Sequence, residues 1–255
     1  MYRFFKYSLW YIDISMVMYG CSSDNNVPDI SGELKQWHKI IITFNGPESS
    51  ELDSLNPFLD YQMSVSFYKH DRRIVIPGFY AADGNAAETG ADSGNKWQVI
   101  FCPDDYGLWN YEVSFLKGKN IAMERNPESG EEIAFHGARG EILISPSDKT
   151  GNDFRSKGRI RYVNDHYLRH QGTGEIFLKA GSDSPENFLA FHEFDGTYYG
   201  GDGERRLNEA MPNQTLHRYA PHIEDWNEGD PTWKEGKLGK GIIGALNYLR
   251  LKGIN

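Results

Sequence analysis

The sequence predicts a mainly β fold that opens with a two-sheet sandwich over residues 33–118. Every second residue is apolar in three segments, which span residues 61–67, 97–101 and 109–115. This period of two is typical of strands that bury one face and expose the other. Short polar breaks rich in glycine, proline and asparagine separate the segments, so about six or seven strands fit into roughly 85 residues, as a β-sandwich requires.

The sharpest signal for the sandwich is the segment PDDYGLWNYEVSF, residues 103–115. Asp105, Gly107 and Trp109 lie immediately before or at the start of a strand. This order resembles the corner that leads into one strand of immunoglobulin-like sandwiches, where an aromatic residue fixes the crossing between the two sheets. Tyrosine is usual at that position, and tryptophan occupies it here. We therefore expect an immunoglobulin-like sandwich without the inter-sheet disulfide.

Composition narrows the classes of function. The chain has 255 residues, 39% of them hydrophobic and 14% aromatic, so a sizeable core is expected. The formal net charge is −9 and no run of basic residues occurs. This balance argues against nucleic acid and anionic membrane surfaces as partners, and it is compatible with neutral glycans. No dinucleotide or phosphate-binding fingerprint is present, and no cofactor is expected.

The N-terminus has the layout of a lipoprotein signal. Arg3 and Lys6 precede a largely apolar stretch over residues 7–20, and Cys21 follows the small residue Gly20. We expect residues 1–20 to be a signal, Cys21 to carry a lipid, and residues 21–32 to be a flexible tether. The protein would then be exported and held at a membrane only through its anchor. The alternative is an ordinary leader in which the cysteine has no role.

A β-rich connecting segment is expected over residues 119–174. Residues 141–145 have strand character, and residues 146–153 form a turn-rich linker. Residues 159–163 and 166–169 flank Asn164 and Asp165, which predicts a β-hairpin. This segment adds strands to the chain without any motif of catalysis.

The C-terminal part, residues 175–255, reads as one βα unit. Residues 175–178 form a short apolar strand, and Ser184 with Pro185 favours the start of a short helix. In residues 241–253, Ile242, Ala245, Leu246 and Leu249 share one helical face, and Gly253 is suited to the left-handed cap. An apolar helical face of this kind must pack against another element.

Together these segments resemble a known family. They are WHKIIITFNGP, NPFLDYQMSVSF, VIPGFYAADGN, KWQVIFCPDDYGLWNYEVSF, SDKTGNDF, GRIRYVNDHYLRHQGTGEIFLKAGSDSPENFLAFHEFDGT and LHRYAPHIEDWNEGDPTWKEGKLGKGIIGALNYLRLKGIN. Over residues 33–255 the chain resembles the N-terminal part of bacterial glycoside hydrolases that begin with the domain of unknown function 5060. The resemblance implies an immunoglobulin-like module followed by a (β/α)₈ barrel, of which residues 175–255 would be the incomplete beginning.

The resemblance also implies where the chemistry lies. Glycosidases use two carboxyl groups across the scissile bond, and barrel enzymes carry them at the C-terminal ends of the strands. With only the first strand expected, near residues 175–179, the catalytic pair is expected beyond residue 255, and no catalytic residue is assigned. We therefore expect an accessory portion that is inactive alone.

Five residues of the barrel segment are candidates for contact with a polysaccharide or oligosaccharide: Lys179, Asp183, Glu186, Asn187 and Trp226. Asp183 and Glu186 follow the first strand, on the side where barrel sites form. Lys179 and Asn187 offer hydrogen bonds to sugar hydroxyls, and Trp226 offers a stacking face. The alternatives are solvated loop carboxylates, and a Trp226 that pins its loop to the wall of the barrel.

A metal site is not expected, because His217 and His222 lack a ligand spacing such as HExxH. Two other functions remain open. The first is a free-standing glycan-binding lipoprotein, and the second is a nonfunctional truncation product. The sequence names neither the glycan and its linkage nor the stereochemical outcome, and it leaves the oligomeric state open.

Overall fold

The computed structural model describes residues 27–125, 130–151, 153–164, 166–179, 188–194 and 216–254. Its main body is an antiparallel β-sandwich. The first sheet has the order β1-β2-β6-β5, and the second has β4-β3-β7, with β8 and β9 both pairing with β7. The strands are β1 (Asp29–Gly32), β2 (Ile40–Ser50), β3 (Tyr61–Lys69), β4 (Arg72–Pro77), β5 (Phe79–Tyr80), β6 (Ser93–Phe101), β7 (Gly107–Lys117), β8 (Glu131–Glu132) and β9 (Arg139–Ile144).

One hydrophobic core lies between the two sheets. Each of the three alternating segments places its apolar residues inside, and Val65, Val99 and Phe115 are fully buried. Aromatic rings join the sheets: Phe67 of β3 stacks on Phe101 of β6 with the ring centroids 3.9 Å apart. Trp97 lies 4.7 Å from Phe115 by the same measure. The mainly β fold predicted from the alternation is confirmed.

A hydrogen bond fixes the corner before β7. The indole Nε1–H of Trp109 donates to the backbone carbonyl of Asp105 at 2.9 Å, and Gly107 has a φ of +103°, which favours glycine. Trp109 is fully buried. Tryptophan can take the place of tyrosine here because its ring also combines an apolar body with a polar donor.

The second sheet extends past residue 118, the predicted limit of the sandwich. β9 pairs with β7 from Gly107↔Ile144 to Glu112↔Arg139, and Ile142 and Ile144 belong to the sandwich core. The strand expected at residues 141–145 is therefore part of the sandwich. The sequence did not predict this pairing, because a long connection with glycine-containing breaks, residues 119–138, separates β9 from β7.

A third sheet contains β10 (Ile160–Tyr162), β11 (Leu168–His170) and β12 (Ile176–Phe177), in that order. β10 and β11 form the predicted hairpin, in which Tyr162 pairs with Leu168. β12 is the strand expected to begin a barrel, but it pairs antiparallel with β11, whereas barrel strands are parallel. The open edge of the hairpin supplies the partner that a lone strand needs. The barrel thus gains no support from the described residues and stays a prediction.

Short helices connect the strands: α1 (Ala86–Thr89), α2 (Phe154–Lys157) and two 3₁₀ helices (Ile121–Met123 and Ala220–Asp225). The one longer helix among the described residues is α3 (Lys240–Leu251). It ends as predicted, since Gly253 has a φ of +73° and the N–H of Ile254 donates to the carbonyl of Leu249 at 3.1 Å. No helix among these residues is both long and apolar enough to span a lipid bilayer.

The buried face of α3 differs from the predicted one. Ile242 and Ala245 are buried as expected, but Leu246 is 48% exposed. The other buried positions are Gly241 and Gly244. A Cβ on Gly244 would lie 1.8 Å from the carbonyl oxygen of His222. The helix therefore packs backbone to backbone on the 3₁₀ helix Ala220–Asp225. The spacing of apolar residues does not predict this contact, because glycines make it.

Candidate functional site

The structure describes two of the residues predicted to contact glycan. Lys179 follows β12, and Trp226 ends the 3₁₀ helix Ala220–Asp225. Asp183, Glu186 and Asn187 lie outside the described residues, as do Cys21 and the helix start expected at Ser184. The predicted five-residue set therefore stays a prediction.

Trp226 is held by its neighbours. Its Nε1–H donates to the carbonyl of Pro231 at 3.4 Å, and the Nζ of Lys240 lies 4.4 Å from the centre of its ring. This cation–π contact covers one face of the ring, because an ammonium group seeks the negative π surface. Trp226 thus joins its loop to α3, and a sugar would have to use the remaining surface of the ring.

The polar groups around Trp226 also bind one another. His222 Nδ1 lies 2.9 Å from Asp225 Oδ2, and the side chain of Asn247 donates to Asp230 Oδ2 at 2.7 Å. The backbone N–H of Asn227, followed by the Asn247 amide, lowers the pKa of Asp230 below its ordinary value. These contacts fasten the loop to α3, so this region has the features of a structural joint.

A second set of polar and aromatic groups lies on the outer face of the second sheet. We call it the outer face; its residues are Tyr68, Arg73, Asn110, Glu112, Arg139 and Glu141. It includes a shallow cavity of about 340 Å³. Tyr68 and Arg73 come from β3 and β4, and the other four come from β7 and β9. Alternation turns these side chains outward, since their neighbours along each strand fill the core.

Charge pairs hold the outer face in a defined arrangement. Arg139 Nη2 donates to Glu112 Oε1 at 2.6 Å, and the Arg73 guanidinium lies 5.9 Å from the centre of the Tyr68 ring. The hydrogen bond from Arg139, with a smaller contribution from the Tyr68 hydroxyl, lowers the pKa of Glu112. An ionised carboxylate, guanidinium groups and an aromatic ring side by side can bind hydroxyl groups and stack on a sugar ring.

Sequence reasoning missed the outer face, although a signal for it existed. The alternation that assigns Met63, Val65 and Phe67 to the core also assigns Tyr68 to the opposite side. What the sequence alone could not supply is the strand order. Tyr68, Glu112 and Arg139 become neighbours only because β7 pairs with both β3 and β9.

A third cluster could in principle hold a metal ion, contrary to the expectation of none. Ligand atoms of Glu33, His38 and Asp148 all lie within 4.8 Å of one another. His38 is buried, and its Nε2 has no hydrogen-bond partner. Sequence reasoning missed the cluster because Asp148 is more than a hundred residues from the other two.

Lysines already neutralise the carboxylates of this cluster. Lys35 Nζ lies 2.7 Å from Glu33 and 2.6 Å from Asp148, and Lys149 also contacts both acids. The hydrogen bond from Lys35 is the main reason that the pKa of Asp148 falls to about 2. A cation would have to displace two ammonium groups, so the arrangement favours a charge cluster that ties the β1–β2 connection to the chain after β9.

The comparison with protein families agrees with the resemblance in the sandwich. Residues 33–116 match the model of a protein family described as a domain of unknown function (DUF5060). A solved protein of Bacteroides vulgatus, assigned provisionally as a glycoside hydrolase, is 16% identical with a TM-score of 0.38. The alignment covers 62% of this chain and 26% of that protein, so this chain spans about a quarter of its length. No curated protein matches.

Proposed function

We propose that this chain is the N-terminal accessory portion of an exported glycoside hydrolase that acts on polysaccharide. The DUF5060 match over residues 33–116 supports the family, and the longer motifs quoted above support the relation to glycan-degrading enzymes. In this proposal the sandwich holds polysaccharide close to the hydrolytic barrel. The described residues bind glycan and do not cleave it.

The outer face carries this proposal. Tyr68 offers a half-buried aromatic ring, and the charged pair Glu112–Arg139 lies beside it with a separation of 2.6 Å. Aromatic rings with polar edges suit sugars, which present C–H faces and rims of hydroxyl groups. The cavity of about 340 Å³ is open and shallow, as binding to the side of a long polymer requires.

Glycan binding by the whole chain tests the outer face. Affinity electrophoresis in gels that contain single polysaccharides should show retardation of the wild type by at least one of them. Tyr68→Ala should weaken binding about fivefold to tenfold, because a stacking ring is lost. Phe79→Ala is the matched control: Phe79 is also exposed but lies on β5 of the other sheet. Equal binding by wild type and Tyr68→Ala would contradict a role for the outer face.

An activity assay tests the accessory role. The chain should release no reducing sugar from the polysaccharide that it binds. Hydrolysis that is abolished by Asp183→Ala or Glu186→Ala would show that the catalytic pair is within this chain, and the accessory role would then be wrong. Hydrolysis that survives both substitutions and a second purification would also contradict the accessory role.

Export as a lipoprotein is a separate part of the proposal. Cells expressing the chain and fed an alkyne fatty acid should yield a labelled protein in the membrane fraction. Cys21→Ala should lose the label and leave that fraction, because Cys21 is the proposed lipid-bearing residue. Cys102→Ala is the control, since Cys102 follows β6 in the sandwich. Labelling that persists in Cys21→Ala would contradict the anchor.

A further inference from the structure

A groove lined with arginines lies between the sandwich and the β10–β11 hairpin. Arg72 and Ile74 of β4 form one side, and residues 159–161 form the other. Asp104 and Gln171 complete the lining. The groove measures about 710 Å³, which is within the range of small-ligand sites, about 300–1,000 Å³. We call it the arginine groove.

Asp104 fixes two guanidinium groups of the arginine groove. Arg72 Nη2 donates to both oxygens of this carboxylate at 2.8 Å, and Arg159 Nη2 donates to Oδ2 at 2.6 Å. The Asp104 side chain is only 3% exposed, whereas those of Arg72 and Arg159 are about half exposed. One buried anion therefore orients two cations that reach solvent, and the group keeps a net positive charge.

Donors remain available on these oriented groups. Toward the residues that the structure describes, Arg72 donates hydrogen bonds only through its Nη2. Arg159 uses Nη2 for Asp104 and Nε for Gln171, the latter at 2.9 Å. The side chain of Arg161 is exposed and forms no hydrogen bond or ion pair with any residue that the structure describes. A planar guanidinium with free N–H groups matches a carboxylate or sulfate, which it can bind through two hydrogen bonds at once.

The hairpin places like charges opposite each other. Arg161 of β10 pairs in register with Arg169 of β11, and both side chains are on the face of the hairpin that carries Arg159. Like charges at directly opposite positions destabilise a β-ladder. This arrangement stands out in a chain whose formal net charge is −9. Arg169 has contacts of its own, among them the hydrogen bond that its Nη1 donates to the carbonyl of Gly174 at 3.1 Å, so Arg161 is the member of this pair that lines the groove.

We propose that the arginine groove binds the anionic groups of an acidic polysaccharide, either uronate carboxylates or sulfate esters. This inference rests on the proposed function and names the class of glycan. Arg161 and the free donors of Arg72 and Arg159 contact the anion, and the apolar side chains of Ile74 and Ile160 contact the sugar ring. A neutral sugar would make only the apolar contacts with Ile74 and Ile160.

The test measures the affinity of the whole chain for oligosaccharides of equal length by calorimetry. The probes are an oligogalacturonide, the same oligomer with its carboxyl groups reduced to alcohols, and a sulfated galactan oligomer. Wild type should bind at least one acidic probe about tenfold more tightly than the neutral one. The difference should shrink as salt rises from 20 mM to 500 mM, since salt screens exposed charges. Comparing the two acidic probes identifies the source of the anion.

Arg161→Gln should remove most of the preference for acidic probes without loss of stability, because Arg161 has no described partner. Arg125→Gln is the matched control: it makes the same charge change at an exposed site beyond the opposite end of β3.

Equal affinity of the wild type for acidic and neutral probes would overturn the inference and leave the proposed function standing. An acidic preference that survives Arg161→Gln would also overturn it. If no probe and no polysaccharide binds, both proposals fail.

Discussion

The sandwich and the C-terminal helix are packed by different means. In the sandwich, large side chains from both sheets interdigitate around Trp97, whose ring contacts those of Tyr61, Tyr80 and Phe115. In the C-terminal part, Gly244 of α3 lies against His222 of the 3₁₀ helix Ala220–Asp225, and Gly241 lies against the backbone just before that helix. The first region is stabilised by buried apolar area, and the second by a close approach of two backbones.

This difference decides how each region responds to a change of volume. A sandwich core loses stability when a large side chain is removed, because the cavity is only partly refilled. A glycine-mediated contact loses stability when a small group is added, because rigid backbone atoms cannot give way. Substitutions of opposite sense therefore distinguish the two kinds of packing.

The largest effect is expected from Trp97→Ala. Trp97 is 1% exposed and lies at the centre of the aromatic core. Its removal should lower the free energy of unfolding by about 3–5 kcal/mol, as measured by urea denaturation followed by circular dichroism. Ile100→Ala on the same strand is the control: Ile100 is 42% exposed, and the change should be within about 0.5 kcal/mol. Similar losses in both variants would contradict a core centred on Trp97.

Gly244→Ala should destabilise the C-terminal contact by about 1–3 kcal/mol. Alanine is the better helix former by about 1 kcal/mol, but a Cβ 1.8 Å from the His222 carbonyl oxygen would force α3 away. Hydrogen exchange should speed up in residues 220–225 and in α3 while the sandwich amides keep their rates. Gly118→Ala is the matched control, because its nearest neighbouring atom would lie 3.4 Å from the new Cβ. Unchanged exchange in α3 would show that the contact does not hold the helix.

The same contrast explains what the sequence could predict. The period-two pattern in β3, β6 and β7 predicts the buried residues directly, because the apolar positions of each strand are those of its inner face. The buried face of α3 could not be predicted from the spacing of its apolar residues. Leu246 has the expected spacing but stays exposed, because two glycines bring the partner to another side of the helix.

A smaller effect, about 1–2 kcal/mol, is expected from Trp109→Phe. The substitution removes the donor that bonds the Asp105 carbonyl at 2.9 Å, and that carbonyl then lacks this partner. Trp109→Tyr retains a polar hydrogen on a ring and should cost less than phenylalanine does. Urea denaturation of both variants measures the difference. Equal losses would show that ring volume, and not the hydrogen bond, stabilises the corner.

The candidate sites show where sequence reasoning ends. Tyr68, Glu112 and Arg139 could each be assigned to an outward face, but only the order of β3, β7 and β9 makes them one surface. Predicting the arginine groove requires contacts between distant segments as well as strand order, because Arg72 and Arg159 both bind Asp104 and are far apart in the chain. Strand order and inter-segment contacts are properties of tertiary packing, and no local spacing encodes them.

The smallest expected effect concerns the charge cluster that joins the N-terminal edge of the sandwich to the chain after β9. The pKa of Asp148 is about 2, mainly through the hydrogen bond from Lys35, against an ordinary 3.8. Because the folded pKa is depressed, the stabilisation is present above about pH 4 and is lost as the pH falls toward about 2. Exposure to solvent keeps this contribution small, so a direct titration is the sharper measurement.

Carboxyl titration by NMR should show Asp148 moving toward 3.8 in Lys35→Gln, since its main hydrogen bond is lost. Asp153 provides the internal control. Its pKa is also about 2, but the main cause is the hydrogen bond from Arg155, so it should stay near its wild-type value. If both acids shifted together, Lys35 would act on the whole cluster through its long-range charge. If Asp148 did not shift, the Lys35 contact would have no part in fastening this edge of the sandwich.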